Sequence, residues 1–459
     1  MLPIELSELK TVLNGEFVHG TGGGEATGAQ TDSRAVKKGD LFFAIRGRNQ
    51  DGHDFVQEAL SKGASAVIVD REIEKVRKGN VLRVRDTVSS LGDLARRIRA
   101  MAGVPVVAVT GSNGKTTAKD MIAHVLGADR SVLASQKSFN NQLGLPITLL
   151  GIDKETDVVV VECGTSAPGE IAYLAGIAQP NVSVVTTVSE THLEGFGTID
   201  AIAREKAALI EKLAPNGTAV LNMDNEHTKR MSRATTARCV TFGFFRGADV
   251  KGSAIEGGPE GIRFLVNDRV PFVLPICGRW MAYNALAAAS VGLTMGMDMM
   301  QIAERLMSFR LPPMRMERIE LAGVQFINDA YNANPRAVTL ALDEIELWEA
   351  RRRVFIFGDM LEMGSESAKH HEKVGDRVAR TPNIGVFVGI GPEATRAVHK
   401  AKTLRRTLEA HAFANADEAA RALPDILREG DLALLKGSRG MRLERVLAAF
   451  KPLEAAVPV

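Results

Sequence analysis

The chain has 459 residues, a length that predicts about three domains, and 45% of them are hydrophobic, enough to fill sizeable cores. Its 57 basic and 55 acidic residues leave a net charge of +2, which argues against bulk nucleic-acid binding, and its three cysteines lie too far apart to suggest a metal site. The N-terminus is too charged for a signal peptide, and no apolar run reaches the roughly 18 residues of a membrane span, so we expect a soluble cytoplasmic protein.

Alternating strand and helix patterns favour the α/β class, beginning with a small α/β domain over residues 1–84. An amphipathic helix is predicted from Leu2 to Val12. Further on, Ser33 and Arg34 place a hydroxyl beside a guanidinium, a combination that suits a phosphate or a sugar. A solvated turn with a helix cap explains the same residues. His53, in the next turn, is more typical of a structural histidine than of a functional one.

A strand, a glycine-rich turn and a helix follow one another in residues 104–126. Val106–Val109 form a short apolar run, and the helical spacing of apolar residues starts at Ala118. Between them the turn has the short G-x-x-G-K-T-T form of a phosphate-binding loop, where backbone N–H groups and the helix dipole meet an anion. An ordinary glycine turn is the alternative. The candidate nucleotide-binding residues here are Gly111, Asn113, Gly114, Lys115, Thr116 and Thr117.

Polar side chains follow neighbouring strands downstream of this loop. Glu162 ends a second buried strand, and His192 lies in the loop after a third. If the strands are parallel, these ends share the ligand-binding edge of the sheet, where a carboxylate is placed to hold Mg²⁺. The alternatives are a solvated strand end and a structural histidine. Asn140 and Asn141 either orient phosphate or peptide groups or cap the helix that follows.

The helix predicted over residues 198–214 carries a lysine on its apolar face. Lys206 falls on the stripe of Ile202 and Leu209, whereas Glu205 and the other charged residues are predicted to face solvent. A buried lysine needs a partner or a modification, unless its amine extends to the surface.

Short β segments fill residues 239–275, and a helix over 277–296 carries Asn284 as a lone polar residue. Asn284 either contacts a base edge or satisfies a neighbouring backbone group. The Pro312-Pro313 pair marks a linker. Strands and helices then alternate to the end of the chain, which predicts a Rossmann-like domain. Its first turn and the segment before it contain the polar residues Arg315, Asp329, Tyr331, Asn332 and Asn334.

The segments TGSNGKTT, KSFNN, ECGTSAPGEI, THLEGFG, DAYNANP, FGDMLEMG and KGSRGMRLE, together with the Lys206 helix, resemble the Mur ligase family in order and spacing. The resemblance covers nearly the whole chain and implies three domains. They are a UDP-substrate-binding domain (1–84), a central P-loop ATP-binding domain (85–312) and a C-terminal Rossmann-like ligand-binding domain (313–459). DAYNANP and the segment with Ser33 are similar to those of family members that add a dipeptide.

The resemblance therefore implies an ATP-dependent amide ligase, and we expect the protein to be a monomer. Its substrates would be ATP, D-alanyl-D-alanine and UDP-N-acetylmuramoyl-tripeptide, joined through an acyl phosphate, with no nucleic-acid partner and no membrane span. The alternatives are a sister Mur ligase, a folylpolyglutamate synthase-like ligase, and a nucleotide-binding module that has lost catalysis.

Residue roles follow from the same resemblance. Lys115 and Arg315 would contact the ATP phosphates, Asp329 the ribose and Asn284 the adenine. Two magnesium ions would be held by Thr116 and by Glu162 with His192. Lys206 would carry a CO₂-derived carbamate and would also be a metal ligand. Lys115, Lys206, Arg315 and His192 would thus be catalytic. The residues that would contact the other substrates are Ser33, Arg34, Asn140, Asn141, Thr165, Ser166, Tyr331, Asn332 and Asn334.

One departure from the family stands before Asn284. Gly278-Arg279-Trp280-Met281 occurs where this group usually has Gly-Arg-His-Asn, so polar groups are lost at the expected adenine end. Trp280 either stacks on the base or belongs to the core.

Overall fold

The computed structural model describes residues 1–47, 49–74, 76 and 78–450, which fold around three sheets. The N-terminal sheet has five strands in the order β2-β7-β6-β5-β4, beside a two-stranded ribbon of β1 and β3. The elements are β1 Ile4–Glu5, α1 Leu6–Val12, β2 Glu16–His19, β3 Glu25–Ala26, β4 Gly28–Gln30, β5 Asp40–Phe43, α2 Val56–Ser61, β6 Ala66–Val69 and β7 Val81–Arg83.

The first helix is shorter than its amphipathic pattern predicts. It begins at Leu6 rather than Leu2, because Ile4 and Glu5 are extended and pair with Ala26 and Glu25 in the ribbon. Leu6 and Leu9 of this helix are buried, so the apolar periodicity itself is confirmed.

The central sheet has nine strands in the order β16-β15-β14-β13-β12-β11-β8-β10-β9. Its pairs are parallel from β9 across to β14, and β14, β15 and β16 are antiparallel. The elements are α3 Thr87–Ala102, β8 Val106–Thr110, α4 Lys115–Leu126, β9 Val132–Ala134, α5 Gly144–Leu149, β10 Val158–Glu162, α6 Glu170–Ala178, β11 Val182–Val185, α7 Leu193–Phe196, α8 Ile199–Glu211, β12 Thr218–Asn222, α9 Glu226–Arg230, β13 Arg238–Gly243, β14 Val250–Gly258, β15 Gly261–Val266, β16 Val270–Leu274, α10 Met281–Thr294 and α11 Met299–Leu306.

The C-terminal sheet has six strands in the order β17-β18-β22-β19-β20-β21 and is parallel except for the edge strand β17. The predicted Rossmann-like alternation of strands and helices is confirmed. The elements are β17 Glu317–Leu321, β18 Val324–Asp329, α12 Pro335–Ile345, β19 Arg352–Gly358, α13 Ser367–Ala379, β20 Ile384–Ile390, α14 Pro392–Leu404, β21 Glu409–Phe413, α15 Ala416–Ile426, β22 Asp431–Lys436 and α16 Glu444–Ala448.

The predicted domain boundaries at residues 84 and 312 fall between these sheets and stay predictions. Residues 451–459 of the predicted third domain lie outside the described residues. None of the helices in the described part of the chain is long and apolar enough to cross a lipid bilayer.

Strand β8 lies at the centre of the molecule and is buried on both faces. Val107 and Val109 pack into the core shared with α4 and α10, while Val106 and Ala108 pack into the core shared with α3 and the N-terminal domain. Its parallel neighbours are β10 and β11, so the carboxyl ends of all three strands open at one edge of the sheet.

Candidate active site between the central and C-terminal domains

A cavity of about 460 Å³ lies at this edge, walled by the central domain on one side and the C-terminal domain on the other. Most of the predicted site residues line it. They are Asn113, Gly114, Lys115, Thr116, Thr117, Asn140, Asn141, Glu162, Thr165, Ser166, His192, Asn284, Arg315, Asp329, Tyr331, Asn332 and Asn334.

The glycine-rich turn leads directly into α4. Gly114 is the N-cap of this helix with φ +82°, and a Cβ at Gly114 would stand 2.4 Å from Oδ1 of Asn284. Both the backbone conformation and the space therefore require glycine. The Lys115 amine donates to the carbonyl of Gly111 at 2.9 Å, and burial lowers the pKa of Lys115. This end of a 12-residue helix, with a lysine beside it, suits a phosphate.

A buried carboxylate stands next to the turn. The Thr116 hydroxyl donates to Oε2 of Glu162 at 2.7 Å, and Nδ2 of Asn140 donates to Oε1 at 2.8 Å. Within the described residues, no group of three or more His, Cys, Asp or Glu side chains could hold a metal. A hydroxyl and a carboxylate beside a phosphate site nevertheless suit Mg²⁺, which takes few protein ligands and completes its shell with phosphate oxygens and water.

Lys206 is buried and does not line the cavity. Burial, aided by repulsion from Lys115, lowers its pKa to about 7, although Glu205 and Glu162 favour the charged form. Among the described residues, its amine forms no hydrogen bond or ion pair. The predicted burial on the apolar stripe is confirmed, because only 2% of the residue is exposed.

The prediction that Glu205 faces solvent is wrong. Its carboxylate is buried and accepts the backbone N–H groups of Gly169 and Ile171, each at 2.7 Å. It therefore caps the start of α6, a contact between distant segments that helical periodicity does not contain.

His192 lies in the loop before α7 with φ +52° and contacts a carboxylate from the other domain. Its Nδ1 stands 2.5 Å from Oε2 of Glu362, which follows β19. The ion-pair contact with His192 holds the pKa of Glu362 below its usual range. Sequence reasoning missed Glu362, because its partner lies far away along the chain.

Two strand ends of the C-terminal sheet form the opposite wall. Asp329 ends β18 and Lys436 ends β22, and the two are directly paired in register. The buried Lys436 amine stands 2.6 Å from Oδ2 of Asp329 and donates to the backbone carbonyls of Asp329 at 3.1 Å and Asn332 at 2.8 Å. Sequence reasoning did not select Lys436. Its position as the last strand residue before a polar turn was the available signal.

Aromatic and amide side chains complete the boundary between the domains. The Arg315 guanidinium lies over the ring of Tyr331, 4.2 Å from its centroid. Asn334 caps α12 by accepting the Ala337 N–H, and its Nδ2 donates across the interface to Oδ1 of Asn113 at 2.6 Å. Trp280 is half-buried: it lines the cavity and also packs against the hydrophobic core.

Four predicted site residues do not line the cavity: Gly111, Lys206, Ser33 and Arg34. Ser33 donates to Glu58 at 3.0 Å, and Arg34, with 85% of its side chain exposed, pairs with Asp32. Both belong to the N-terminal domain.

The contacts of His53 agree with its interpretation as a structural histidine. The buried ring lies 2.6 Å from Asp51 on its Nδ1 side and accepts the Asp70 N–H on its Nε2 side.

Comparisons with known proteins agree with this architecture. Residues 25–99 match the catalytic domain of the Mur ligase family, residues 109–292 the Mur ligase middle domain, and residues 314–439 the Mur ligase glutamate ligase domain. The chain has a P-loop domain between two α/β domains and a cavity where the P-loop domain meets the C-terminal domain. It belongs to the Mur ligase family of ATP-dependent ligases.

Within the family, the chain is similar to the UDP-N-acetylmuramoyl-tripeptide–D-alanyl-D-alanine ligase of Bacillus subtilis (strain 168), with 32% identity over 92% of each chain. It is also similar to the solved structure of MurF from Acinetobacter baumannii, with 30% identity, a TM-score of 0.89 and 98% of each chain covered. The MurF ligase of Thermotoga maritima in complex with ADP is 29% identical, with a TM-score of 0.81, over 92% of this chain and 96% of its own.

Proposed function

We propose that this protein is the ATP-dependent ligase that joins D-alanyl-D-alanine to UDP-N-acetylmuramoyl-tripeptide, a step in the synthesis of peptidoglycan precursors. The single observation that carries the proposal is the cavity between the domains. It brings a phosphate-binding turn, a Thr116–Glu162 pair and the DAYNANP turn to one place. The similarity to ligases of this name over more than nine-tenths of the chain supports the choice of substrates.

ATP would bind with its phosphates at the start of α4. Lys115 is placed to contact them, with Arg315 facing it from the C-terminal domain, since both line the cavity. Asn284 and Trp280 lie in the same wall at the start of α10, where we place the adenine. Asp329, held by Lys436, would contact the ribose.

Magnesium would be held by Thr116 and by Glu162 with His192. Bound there, the two ions would neutralise charge on the phosphates and on the transferring group. The Thr116 hydroxyl and the Asn140 amide hold the Glu162 carboxylate in place.

The reaction needs positioning and charge neutralisation more than an acid–base pair. The acceptor carboxylate attacks the γ-phosphorus of ATP, and ADP leaves with the electrons of the broken P–O bond. The neutral amine of the dipeptide then attacks the acyl phosphate carbonyl and forms the C–N bond. The C–O bond to phosphate breaks, phosphate leaves, and the amide nitrogen loses a proton to solvent. Lys115 and Arg315 would stabilise the charge that develops in both steps.

Lys206 would be carbamylated. The neutral amine attacks the carbon of CO₂, an N–C bond forms, and the amine loses a proton to solvent, which leaves an anionic carbamate. A pKa lowered to about 7 keeps much of the amine neutral and able to react near pH 7. The product also replaces a buried cation, which Lys115 repels, with an anion next to Lys115.

The residues that would contact the other substrates fall into two groups. Asn140, Asn141, Thr165 and Ser166 line the central-domain side, and Tyr331, Asn332 and Asn334 line the C-terminal side. Ser33 and Arg34 would bind the uridine diphosphate end from the N-terminal domain, outside the cavity.

The test is phosphate release from ATP and Mg²⁺ with UDP-N-acetylmuramoyl-tripeptide, in the presence and absence of D-alanyl-D-alanine. We expect sustained release only with both cosubstrates. Acceptors ending in diaminopimelate or lysine would then define the third residue. Turnover with a single amino acid or a folate instead would contradict the proposal, and so would ATP binding without turnover under any of these conditions.

The carbamate has its own test. Protein incubated with ¹³C-bicarbonate should show a carbamate carbon signal by NMR that is absent from Lys206→Arg and present in Lys212→Arg, which alters an exposed lysine just after the same helix. Equal spectra for wild type and Lys206→Arg would exclude the carbamate on Lys206.

A further inference from the structure

The contact between His192 and Glu362 joins two loops from different domains. Nδ1 of the histidine lies 2.5 Å from Oε2 of the glutamate. Beside it, the Glu194 N–H donates to the Glu362 carbonyl at 3.4 Å. A Cβ on Gly364 would lie 3.2 Å from Cα of Glu194. The loop around His192 is therefore docked closely on the loop that follows β19.

Both residues hold unusual backbone conformations. His192 has φ +52° and Glu362 has φ +64°, a left-handed region that side chains other than glycine rarely adopt. Two such residues meeting side chain to side chain across one interface indicate that the surrounding structure maintains the contact, as is common at functional sites.

The contact between Glu362 and His192 affects how the imidazole ring can bind a metal. A histidine that binds a metal through one ring nitrogen commonly donates its other N–H to a carboxylate, which sets the tautomer and the orientation of the ring. Because the Glu362 carboxylate lies against Nδ1 of His192, Nε2 is the nitrogen left to bind a metal. His192 lines the cavity that also holds Thr116 and Glu162.

We propose that Glu362 is a positioning residue that fixes the tautomer and orientation of His192 for magnesium, and that it does so only while the C-terminal domain is docked on the central domain. This inference rests on the metal role of His192 in the proposed function. It adds a consequence of the domain arrangement: the metal site is complete only when the domain that carries Asp329 and Tyr331 closes the cavity.

The first test reads the tautomer in the metal-free protein. In protein labelled with ¹⁵N-histidine, His192→Ala identifies the His192 signals. We expect wild type to show a protonated Nδ1 and a free Nε2. Glu362→Ala should shift this ring toward the mixture of a free imidazole. Glu366→Gln is the matched control, since Glu366 is a neighbouring carboxylate that pairs with Lys369 outside the cavity, and it should leave the spectrum unchanged.

The second test measures metal affinity instead of activity. Mn²⁺ is titrated into the full-length protein with a non-hydrolysable ATP analogue and followed by electron paramagnetic resonance. We expect Glu362→Ala to weaken binding at the His192 site by about 10-fold or more. Glu362→Gln, which keeps the shape and an accepting oxygen, should lose less. The double variant Glu362→Ala/His192→Ala should bind Mn²⁺ no more weakly than His192→Ala alone.

The outcomes separate this inference from the proposed function. If wild type and His192→Ala bind Mn²⁺ equally, the metal role of His192 fails and the inference fails with it. If His192→Ala binds more weakly but Glu362→Ala equals wild type in affinity and tautomer, only the positioning role is overturned. Should Glu362→Ala unfold, Glu362→Gln gives the same comparison.

Discussion

Lys206 and Glu162 are both buried, but they differ in the partners that the structure gives them. Glu162 is stabilised by a hydroxyl and an amide, whereas Lys206 has neither a hydrogen bond nor an ion pair to another described residue. Burial without a partner disfavours a cation, and the lowered pKa of Lys206 expresses that cost.

This difference predicts a pH dependence of stability. The pKa of Lys206 is about 7 in the folded protein, against 10.5 for a free lysine side chain. The unfolded chain therefore binds more protons between these values, so Lys206 makes the free energy of unfolding rise with pH through that window, by up to about 1.4 kcal/mol per pH unit. Below pH 7 this dependence ends, because both states are protonated.

The measurement is urea denaturation of wild type and Lys206→Met at several pH values from 7 to 9, in CO₂-free buffer. The difference in stability between the two proteins should move in favour of wild type as the pH rises. Lys212→Met, which removes an exposed lysine, should run parallel to wild type. A pH-independent difference for Lys206→Met would contradict the lowered pKa.

Trp280 offers a direct report of nucleotide binding. The chain has two tryptophans, and the other, Trp348, is buried in the core with 1% of its surface exposed. In Trp348→Phe, we expect ADP to change the emission of Trp280, because a base entering the cavity replaces water at the indole. In Trp280→Phe the emission should not respond. Unchanged emission of Trp280 when calorimetry shows ADP bound would place the base elsewhere.

At the scale of elements, the junction of β8, the glycine turn and α4 depends on close packing as much as on hydrogen bonds. Helix α10 packs against α4 and brings Asn284 onto Gly114. The same contact places the start of α10 beside the predicted phosphate site. The packing of these two helices therefore determines the distance between the phosphate and adenine ends of the cavity.

Gly114→Ala tests this packing. The left-handed conformation costs a non-glycine residue about 1–2 kcal/mol, and the new methyl group would also displace Asn284. Gly103→Ala is the matched control: Gly103 ends α3 with φ +66° and has no atom within 4 Å of its would-be Cβ. We expect both variants to lose stability in thermal unfolding, but only Gly114→Ala to lose ADP affinity in calorimetry. Equal ADP affinity in the two variants would show that Asn284 can move away from the new methyl group without weakening ADP binding.

At the scale of the whole molecule, the site exists only where domains meet. Asn334 contacts Asn113, Glu362 contacts His192, and Arg279 of the central domain lies 3.5 Å from the buried Glu344 of α12. A ligand that touches both walls of the cavity favours the docked arrangement of the two domains, so we expect ATP binding to stabilise the contacts between them.

Two variants of Asn334 separate its contribution as the cap of α12 from its contact with Asn113 across the domain boundary. Asn334→Ala should lose about 1 kcal/mol from the uncapped α12 and also weaken the contact with Asn113. Asn334→Asp should keep the cap but lose the donor to Asn113. The measurement is small-angle X-ray scattering of all three proteins with an ATP analogue bound. We expect both variants to give a larger radius of gyration than wild type.

Asn415→Ala is the control for this experiment. Asn415 caps α15 through the Glu418 N–H, away from the domain boundary. It should lose a similar amount of stability without changing the radius of gyration. If Asn334→Asp scatters like wild type, the amide contact between domains does not contribute to closure.

By itself, the sequence determined what depends on neighbours along the chain. The P-loop, the parallel β-α order and the burial of Lys206 all follow from local spacing, because strand and helix periods decide which side chains share a face. The family resemblance then identified most of the residues that line the cavity.

Only the tertiary structure decided which distant residues meet. Asn334 and Asn113 are 221 positions apart, Lys436 reaches Asp329 through sheet register, and Glu362 reaches His192 through domain docking. The solvent-facing assignment of Glu205 was wrong for the same reason. Periodicity reports on one element at a time, whereas a charged group becomes buried or exposed according to what packs against that element.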